Sequence, residues 1–346
     1  MVPLFLLVLT LPALGAEPPR PCVLAAPSCM ERVALDGEGR YSLIYRSYPL
    51  QVTNPRVRRA LIVIHGAGRN AHSYFLSGIA GALIANALEN TIVISPRLAS
   101  NSGGTCRDTL ERGEISWTCG GAEDWRGGGR AQDPPGVFVF DLIDAIVRKL
   151  ADRERFPNLQ VIVVTGHSAG GQFTNRYAAA TQVEKVVQVP IKYVVSNPST
   201  YLYLDDTRLP PKQTCSPKGG CTADFRPYAQ RRQCPTFNHW RNGLEKKAGY
   251  AANIPDEELR RNLANRDVTY LLGELDTLPL FGFDDSCPAM AQGPNRFARG
   301  LAYWNYMRKR FGANHKLITV PNCGHNGRCM YTADEALQAL FPPISE

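Results

Sequence analysis

Residues 161–165 form the apolar, β-branched run Val-Ile-Val-Val-Thr, which leads directly into Gly-His-Ser-Ala-Gly-Gly at 166–171. An uninterrupted β-branched run favours a strand buried on both faces, as strands are in a parallel sheet. The glycines allow the backbone to make a tight, strained turn, and helical sequence follows through residues 175–177. This strand–turn–helix order indicates an α/β architecture with Ser168 at the tip of the turn.

The rest of the chain repeats this alternation of short apolar runs and longer helical stretches, which is typical of a mostly parallel central sheet flanked by helices. With 346 residues, of which 44% are hydrophobic, the chain has material for one large core. The predicted strands are 41–48, 50–53, 61–64, 91–95, 161–165, 191–196, 268–272 and 316–320. The predicted helices include 71–88 and 138–150, the latter with Asp141, Asp144, Arg148 and Lys149 on its polar side.

One connection is far longer than ordinary loops, between the strands near Tyr193 and Tyr270. It carries a Pro-Pro pair, three cysteines and Trp240, and it predicts an inserted cap at 199–266. The core would then consist of residues 17–198 and 267–346.

The N-terminus resembles a signal peptide at 1–16, with a short apolar run, small residues at the end and polar sequence beyond. Cleavage is expected after Gly15 or Ala16. The run is too short to span a bilayer, which takes roughly 20 apolar residues. The alternative to a signal peptide is a buried N-terminal strand or helix. From the signal-peptide pattern we expect a secreted or periplasmic protein.

Ten cysteines agree with export, because an even count in an oxidising compartment favours disulfides. No C-x-x-C spacing occurs, so clustered cysteines do not indicate zinc. One candidate pair, Cys234 with Cys287, would tie the insertion to the core. The candidate pairs are Cys22 with Cys29, Cys106 with Cys119, Cys215 with Cys221, Cys323 with Cys329, and Cys234 with Cys287.

Residues 166–170 have the G-x-S-x-G form and lie between a predicted buried strand and a helix. In that position the motif forms a sharp turn that exposes the serine side chain. The turn His-Gly-Ala-Gly at 65–68 follows another strand and can present backbone N–H groups to the same point. We predict an oxyanion hole from the amides of Ala67, Gly68 and Ala169. The alternative for this turn is an ordinary glycine exit from a strand. His65 is interpreted as a structural ring bonded to loop backbone.

A serine hydroxyl needs a base within hydrogen-bond reach. His325 has the best context of the six histidines, because it follows the last strand and a Cys323–Cys329 bridge would brace its loop. Surface or packing roles are expected for the other four candidates, His72, His167, His239 and His315.

The carboxylate that orients this base should leave the sheet between nucleophile and histidine in chain order. Asp276, just past the strand at 268–272, is the predicted acid. Glu274 is the near alternative, and more distant alternatives precede or follow it in the chain. These are Asp205, Asp206, Asp284 and Asp285.

In their order and context these motifs resemble the α/β-hydrolase superfamily, from about Leu61 to the C-terminus. The chain is similar to its secreted esterases, including polyhydroxyalkanoate depolymerase-like and feruloyl-esterase-like enzymes. This resemblance implies the α/β-hydrolase fold, no metal or organic cofactor, and hydrolysis of a small or polymeric ester through an acyl-enzyme. The alternatives are a serine peptidase on the same fold and a catalytically idle hydrolase-like binding protein.

Two further loops leave the same predicted sheet edge. Residues 197–201 are candidates for lining the substrate pocket. The loop with Trp117, Trp125 and the glycines at 127–129 is a candidate for stacking on substrate, or alternatively for packing around a Cys106–Cys119 bridge. The formal charge of +8 is scattered and indicates solvated faces, and nothing resembles a nucleic-acid module. No membrane span and no particular oligomeric state are predicted.

Overall fold

The computed structural model describes residues 19–35, 39–280 and 282–345. The predicted signal peptide at 1–16 lies outside the described residues. The strands are β1 (Met30–Ala34), β2 (Tyr41–Arg46), β3 (Arg59–Ile64), β4 (Thr91–Pro96), β5 (Val161–His167), β6 (Ile191–Ser196), β7 (Thr207–Arg208), β8 (Cys215–Ser216), β9 (Gly220–Cys221), β10 (Arg226–Pro227), β11 (Asp267–Gly273) and β12 (Lys316–Val320). The helices are α1 (Ala71–Ile84), α2 (Val139–Leu150), α3 (Ala169–Ala180), α4 (Asp256–Asn265), α5 (Cys287–Met290), α6 (Arg296–Phe311), α7 (Gly327–Thr332) and α8 (Asp334–Leu340).

Eight strands form one sheet in the order β1-β2-β4-β3-β5-β6-β11-β12. The run from β4 to β12 is parallel throughout, whereas β2 is antiparallel to both β1 and β4. The predicted mostly parallel α/β sheet is therefore confirmed. Because parallel strands end at one edge, the loops after β3, β5, β6, β11 and β12 all meet there.

Helices cover both faces of this sheet, and alternate residues of each strand face different cores. In β3, Leu61 and Val63 pack in the core beneath α1, α7 and α8. Ile62 and Ile64 pack in the larger core beneath α2, α3, α4 and α6. Burial on both faces explains why the central strands are apolar without alternation.

The N-terminal edge of the sheet differs from the prediction. Residues 50–53 were predicted as a strand but form a turn, in which the Leu50 amide donates to a carboxylate oxygen of Glu31. Glu31 belongs to β1, which sequence patterning did not predict and which pairs with β2 from Met30 to Ala34. The backbone amide of Leu50 is therefore satisfied by a side chain rather than by a strand ladder.

Asp144 was placed on the polar face of its helix, and this prediction was wrong. The side chain is buried, and its two carboxylate oxygens accept hydrogen bonds from the hydroxyls of Tyr177 (2.7 Å), Thr181 (2.6 Å) and Tyr250 (2.7 Å). Burial, reinforced by the charge of Asp144, raises the pKa of Tyr177 well above its ordinary value, so its hydroxyl remains a donor. The carboxylate thus joins α2 to α3 and to the segment around Tyr250.

The segment predicted as a cap, residues 199–266, contains little regular secondary structure. It contains the two-stranded ladders β7–β10 and β8–β9, together with helix α4, whose Leu259 and Leu263 belong to the larger core. All ten cysteines are paired, in the five combinations that their spacing suggested. Within the described ranges, no helix combines the length and apolarity required to cross a membrane.

We predict that Asp144→Asn lowers the free energy of unfolding by about 1–3 kcal/mol. The amide has one acceptor oxygen instead of two, so one buried hydroxyl loses its acceptor and faces an N–H group. Denaturant unfolding measures this loss. Asp285→Asn, at an exposed carboxylate, is the matched control and should change stability by less than about 0.5 kcal/mol. Equal effects of the two substitutions would contradict the assigned role of Asp144.

Candidate active site

Backbone-to-backbone packing around the turn after β5 sets the position of Ser168. A Cβ on Gly166 would overlap the carbonyl of Gly170, and a Cβ on Gly170 would overlap the carbonyl of Ile64. Glycine is therefore required at both positions. The chain turns so sharply that Ser168 adopts a φ of 59°, a strained value for a residue with a side chain, immediately before α3 begins at Ala169.

The turn at 65–68 lies against this serine. A Cβ on Gly66 would be 3.7 Å from the Cβ of Ser168. His65 is buried, and burial lowers its pKa to about 4, so the ring is neutral. Its Nε2 accepts the Leu98 amide (3.1 Å), which leaves Nδ1–H to donate to the carbonyl of Gly66 (2.9 Å). The prediction that His65 is a structural ring agrees with these contacts.

Three backbone amides remain available beside the serine, those of Ala67, Gly68 and Ala169. Across the described part of the chain, no acceptor pairs with any of them. Ala169 is the first residue of α3, so its N–H points out of the helix start. Ala67 and Gly68 are exposed in the turn. These are the donors that the sequence assigned to an oxyanion hole, and the structure leaves them unpaired.

A continuous hydrogen-bonded chain joins three side chains from three different loops. Nε2 of His325 lies 2.9 Å from the Ser168 Oγ, and Nδ1 of the same ring lies 2.7 Å from Oδ2 of Asp276. Asp276 is only 2% exposed. This geometry matches the nucleophile–base–acid arrangement that activates a serine in acyl transfer.

The alternative residues lie elsewhere. Glu274 is exposed and accepts from the hydroxyl of Thr319, Asp205 pairs with Arg310, and Asp206 pairs with Arg231. Of the histidines, His315 is buried at the far end of the sheet, between Tyr270 and Leu263. The structure therefore brings Asp276, and none of those residues, to His325.

His167, the residue before the nucleophile, packs on His325 with ring centroids 4.7 Å apart. Burial, then the charges of His325 and Arg296, hold the pKa of His167 well below its ordinary value. Its Nδ1 is 3.0 Å from the hydroxyl of Tyr74, whose own pKa is raised to about 12 by burial. Tyr74 thus donates to a neutral His167, and the pair forms a packed wall behind His325.

Sequence analysis missed Arg296, which lies behind the acid. Its guanidinium is fully buried, and Nη1 lies 3.3 Å from Oδ1 of Asp276. The same side chain also donates to the carbonyl of Leu280 (3.0 Å) and to the hydroxyl of Ser199 (3.3 Å). One carboxylate oxygen therefore faces His325 and the other faces a cation. The sequence signal was weak, namely Asn295 as an N-cap, which places Arg296 in the first turn of α6.

Asn197 fixes the two loops that carry the acid and the histidine. Its Oδ1 accepts from the Gly273 amide at the end of β11 (2.8 Å), and its Nδ2 donates to the carbonyl of Gly324 (3.3 Å). The Cys323–Cys329 disulfide closes the loop around His325. Residues 197–201 were candidates for lining the pocket, but the structure buries Asn197, Ser199 and Tyr201 beneath the site.

The aromatic loop also differs from its proposed substrate contact. Trp117 is buried and donates from Nε1 to the hydroxyl of Ser42 (3.2 Å). Trp125 is buried against His65 and Phe173, with ring centroids 5.2 and 6.3 Å away. The alternative, loop packing, is what the structure shows, and Cys119 of the Cys106–Cys119 disulfide packs against the same core as both tryptophans.

A cleft of about 720 Å³ opens beside Ser168 and His325. It lies between the turn at 66–68, helix α1 and the start of α7. In the described ranges, no group of three or more histidine, cysteine, aspartate or glutamate side chains is arranged to hold a metal ion.

The alpha/beta hydrolase family model matches residues 61–340. The chain therefore belongs to the alpha/beta hydrolase family. No curated protein sequence matches it significantly.

Among solved structures, the chain is similar to LpqC, a poly(3-hydroxybutyrate) depolymerase from Bordetella parapertussis, with 19% identity, a TM-score of 0.58 and 89% of each chain covered. It is also similar to poly(aspartic acid) hydrolase-1 from Sphingomonas sp. KT-1, with 20% identity, a TM-score of 0.57, and 87% of this chain and 95% of that chain covered. At this identity the likeness shows the fold.

We predict that Arg296→Met lowers the free energy of unfolding by about 3 kcal/mol, because it leaves the buried carboxylate of Asp276 without its cation. Urea unfolding followed by circular dichroism measures the change. Arg310→Met is the matched control, because Arg310 pairs with Asp205 while 46% of its side chain is exposed. Its loss should cost less than about 1 kcal/mol. A small effect at Arg296 would show that the buried pair does not stabilise the loop.

Proposed function

We propose that the chain is a secreted serine hydrolase that cleaves carboxylic esters through an acyl-enzyme. The observation that carries this proposal is the hydrogen-bonded chain from Ser168 through His325 to Asp276 at the carboxyl edge of the sheet. The three residues come from separate loops, in the chain order Ser, Asp, His that α/β-hydrolases use. Membership of the family supports hydrolysis as the reaction class.

In the proposed first half-reaction, Ser168 Oγ attacks the ester carbonyl while His325 Nε2 takes the hydroxyl proton. Asp276 accepts the hydrogen bond from Nδ1 and stabilises the imidazolium that forms. The amides of Ala67, Gly68 and Ala169 donate to the oxyanion of the tetrahedral intermediate. Because these donors are held by the backbone, little reorganisation is needed when the charge develops.

His325 then donates its proton to the leaving alcohol, and the acyl group remains on Ser168. In the second half-reaction the same imidazole takes a proton from water, which attacks the acyl carbonyl. Collapse of the second intermediate releases the acid and returns the proton to Ser168. Arg296 contributes by holding the carboxylate of Asp276 in place through the oxygen that does not face His325.

Esters are proposed over peptides because the motifs resemble those of secreted esterases, and one similar structure is of a poly(3-hydroxybutyrate) depolymerase. An aryl-ester panel run beside a dipeptide panel discriminates between them. Cleavage confined to dipeptides would replace the esterase by a peptidase. Absence of turnover in both panels by folded protein would favour the idle binding protein.

We predict that a fluorophosphonate probe labels the wild-type protein and does not label Ser168→Ala. Ester turnover by Ser168→Ala should fall by roughly 10⁴- to 10⁶-fold, and adding His325→Ala should reduce it little further, because the two residues act as a unit. Ser28→Ala, at an exposed serine outside the site, is the control and should be labelled normally. Failure to label wild-type protein, or equal labelling of Ser168→Ala, would refute the assigned nucleophile.

Export is the second part of the proposal and is supported by the pairing of all ten cysteines. We predict that protein recovered outside the cytoplasm begins at Ala16 or Glu17, as N-terminal sequencing or intact mass would show. Mass measured before and after thiol alkylation should indicate no free thiol. Protein retained in the cytoplasm with Met1 intact would contradict export and leave the catalytic proposal unaffected.

A further inference from the structure

Polar side chains of α1 form part of the wall of the cleft beside Ser168. Along α1 and its N-cap, Asn70, Ser73, Tyr74 and Ser77 line the cleft. Their spacing places them on one helix face, which in a helix packed on a sheet is often apolar. Leu76 is the only large aliphatic side chain among the described residues that line the cleft. A long alkyl chain would therefore find one large aliphatic side chain to contact there.

Several polar groups on this wall are already used within the protein. Tyr74 is bonded to His167, and the Ser77 hydroxyl donates to the carbonyl of Ser73 at 2.9 Å. The side chains of Asn70 and Ser73 have no hydrogen-bond partner within the described ranges. They are free to bind a ligand that enters the cleft.

The start of α7, which packs against α1 at Tyr74, contributes one full positive charge to the lining of the cleft. Arg328 is the second residue of α7 and follows closely after His325 in the chain. It is exposed and lines the cleft. No carboxylate of a described residue pairs with its guanidinium, and no described aspartate or glutamate lines the cleft. The nearby Arg69 differs, because its guanidinium is held by Asp108 at 2.6 Å. Arg328 is thus the uncompensated cation of the cleft.

We propose that this cleft binds a carboxylate carried by the ester substrate, with Arg328 as the residue that recognises it. A guanidinium can pair with a carboxylate through two parallel hydrogen bonds, which add both binding energy and geometric specificity. Asn70 and Ser73, which line the same cleft, supply further donors. The substrate class is then a hydroxy-acid oligomer or a dicarboxylic acid monoester rather than a fatty-acid ester. This inference rests on the proposed esterase function.

The experiment compares matched esters that differ by one carboxylate. On the acyl side, a glutarate monoester is paired with the valerate ester of the same alcohol. On the alcohol side, a butyrate ester of 5-hydroxypentanoate is paired with the butyrate ester of pentanol. We expect wild-type protein to prefer the anionic member of at least one pair in kcat/KM. In Arg328→Gln the anionic-to-neutral ratio of that pair should fall about 10-fold, a typical loss for a hydrogen bond to a charged group.

Comparing ratios between variants removes the intrinsic difference in reactivity between the two esters. Arg328→Glu should lower the ratio further, because a like charge then faces the carboxylate. Arg112→Gln, at an exposed arginine outside the cleft, should keep the wild-type ratio. An unchanged ratio in Arg328→Gln, or a wild-type preference for the alkyl members of both pairs, overturns the proposal while leaving the esterase function intact. Hydrolysis of none of the four esters by phosphonate-reactive protein would overturn it as well, whereas absence of phosphonate labelling would mark failure of the proposed function itself.

Discussion

Direct contact between the backbones of neighbouring elements is the constraint on which the site depends. Gly166 lies against the carbonyl of Gly170, Gly170 against that of Ile64, and Gly171 against that of Ser196. The ends of β3, β5 and β6 and the start of α3 therefore approach more closely than any side chain would permit. Because of this approach, Ser168 adopts a strained conformation, and the turn at 65–68 lies against it.

The acid side of the site depends on a different interaction. Asp276 is buried, and a buried carboxylate is stable only when its charge is compensated. Arg296 compensates one oxygen, and the ring of His325 occupies the other. The same guanidinium also bonds to Leu280 and Ser199, so the acid's loop, helix α6 and the segment after β6 are held by one side chain. The position of the base is in this way coupled to a charge that never contacts the solvent.

Much of this arrangement could be predicted, because it depends on local sequence. The β-branched run followed by glycines predicts the turn that carries Ser168, and the position of His325 in the loop after the last strand predicts the base. Arg296 and Asp144 were not predictable in the same way. Each is a charged residue on a helix whose partners come from distant parts of the chain, and the helical pattern alone assigns such residues to solvent. The strand prediction for residues 50–53 failed for the same reason, because the Leu50 amide is bonded to Glu31 of a different element.

The predictions about substrate contacts differ from the structure for a related reason. Exposed-edge loops rich in aromatic residues suggested a stacking surface, but Trp117 and Trp125 are needed to fill the space between the sheet and its long loop. In the segment 197–201, Asn197 is likewise bonded to the loops that carry Asp276 and His325. With those loops committed to packing, the cleft is bounded by α1 and the start of α7. The polar face of α1 therefore forms part of the cleft wall, where small side-chain changes would alter the chemistry of the wall.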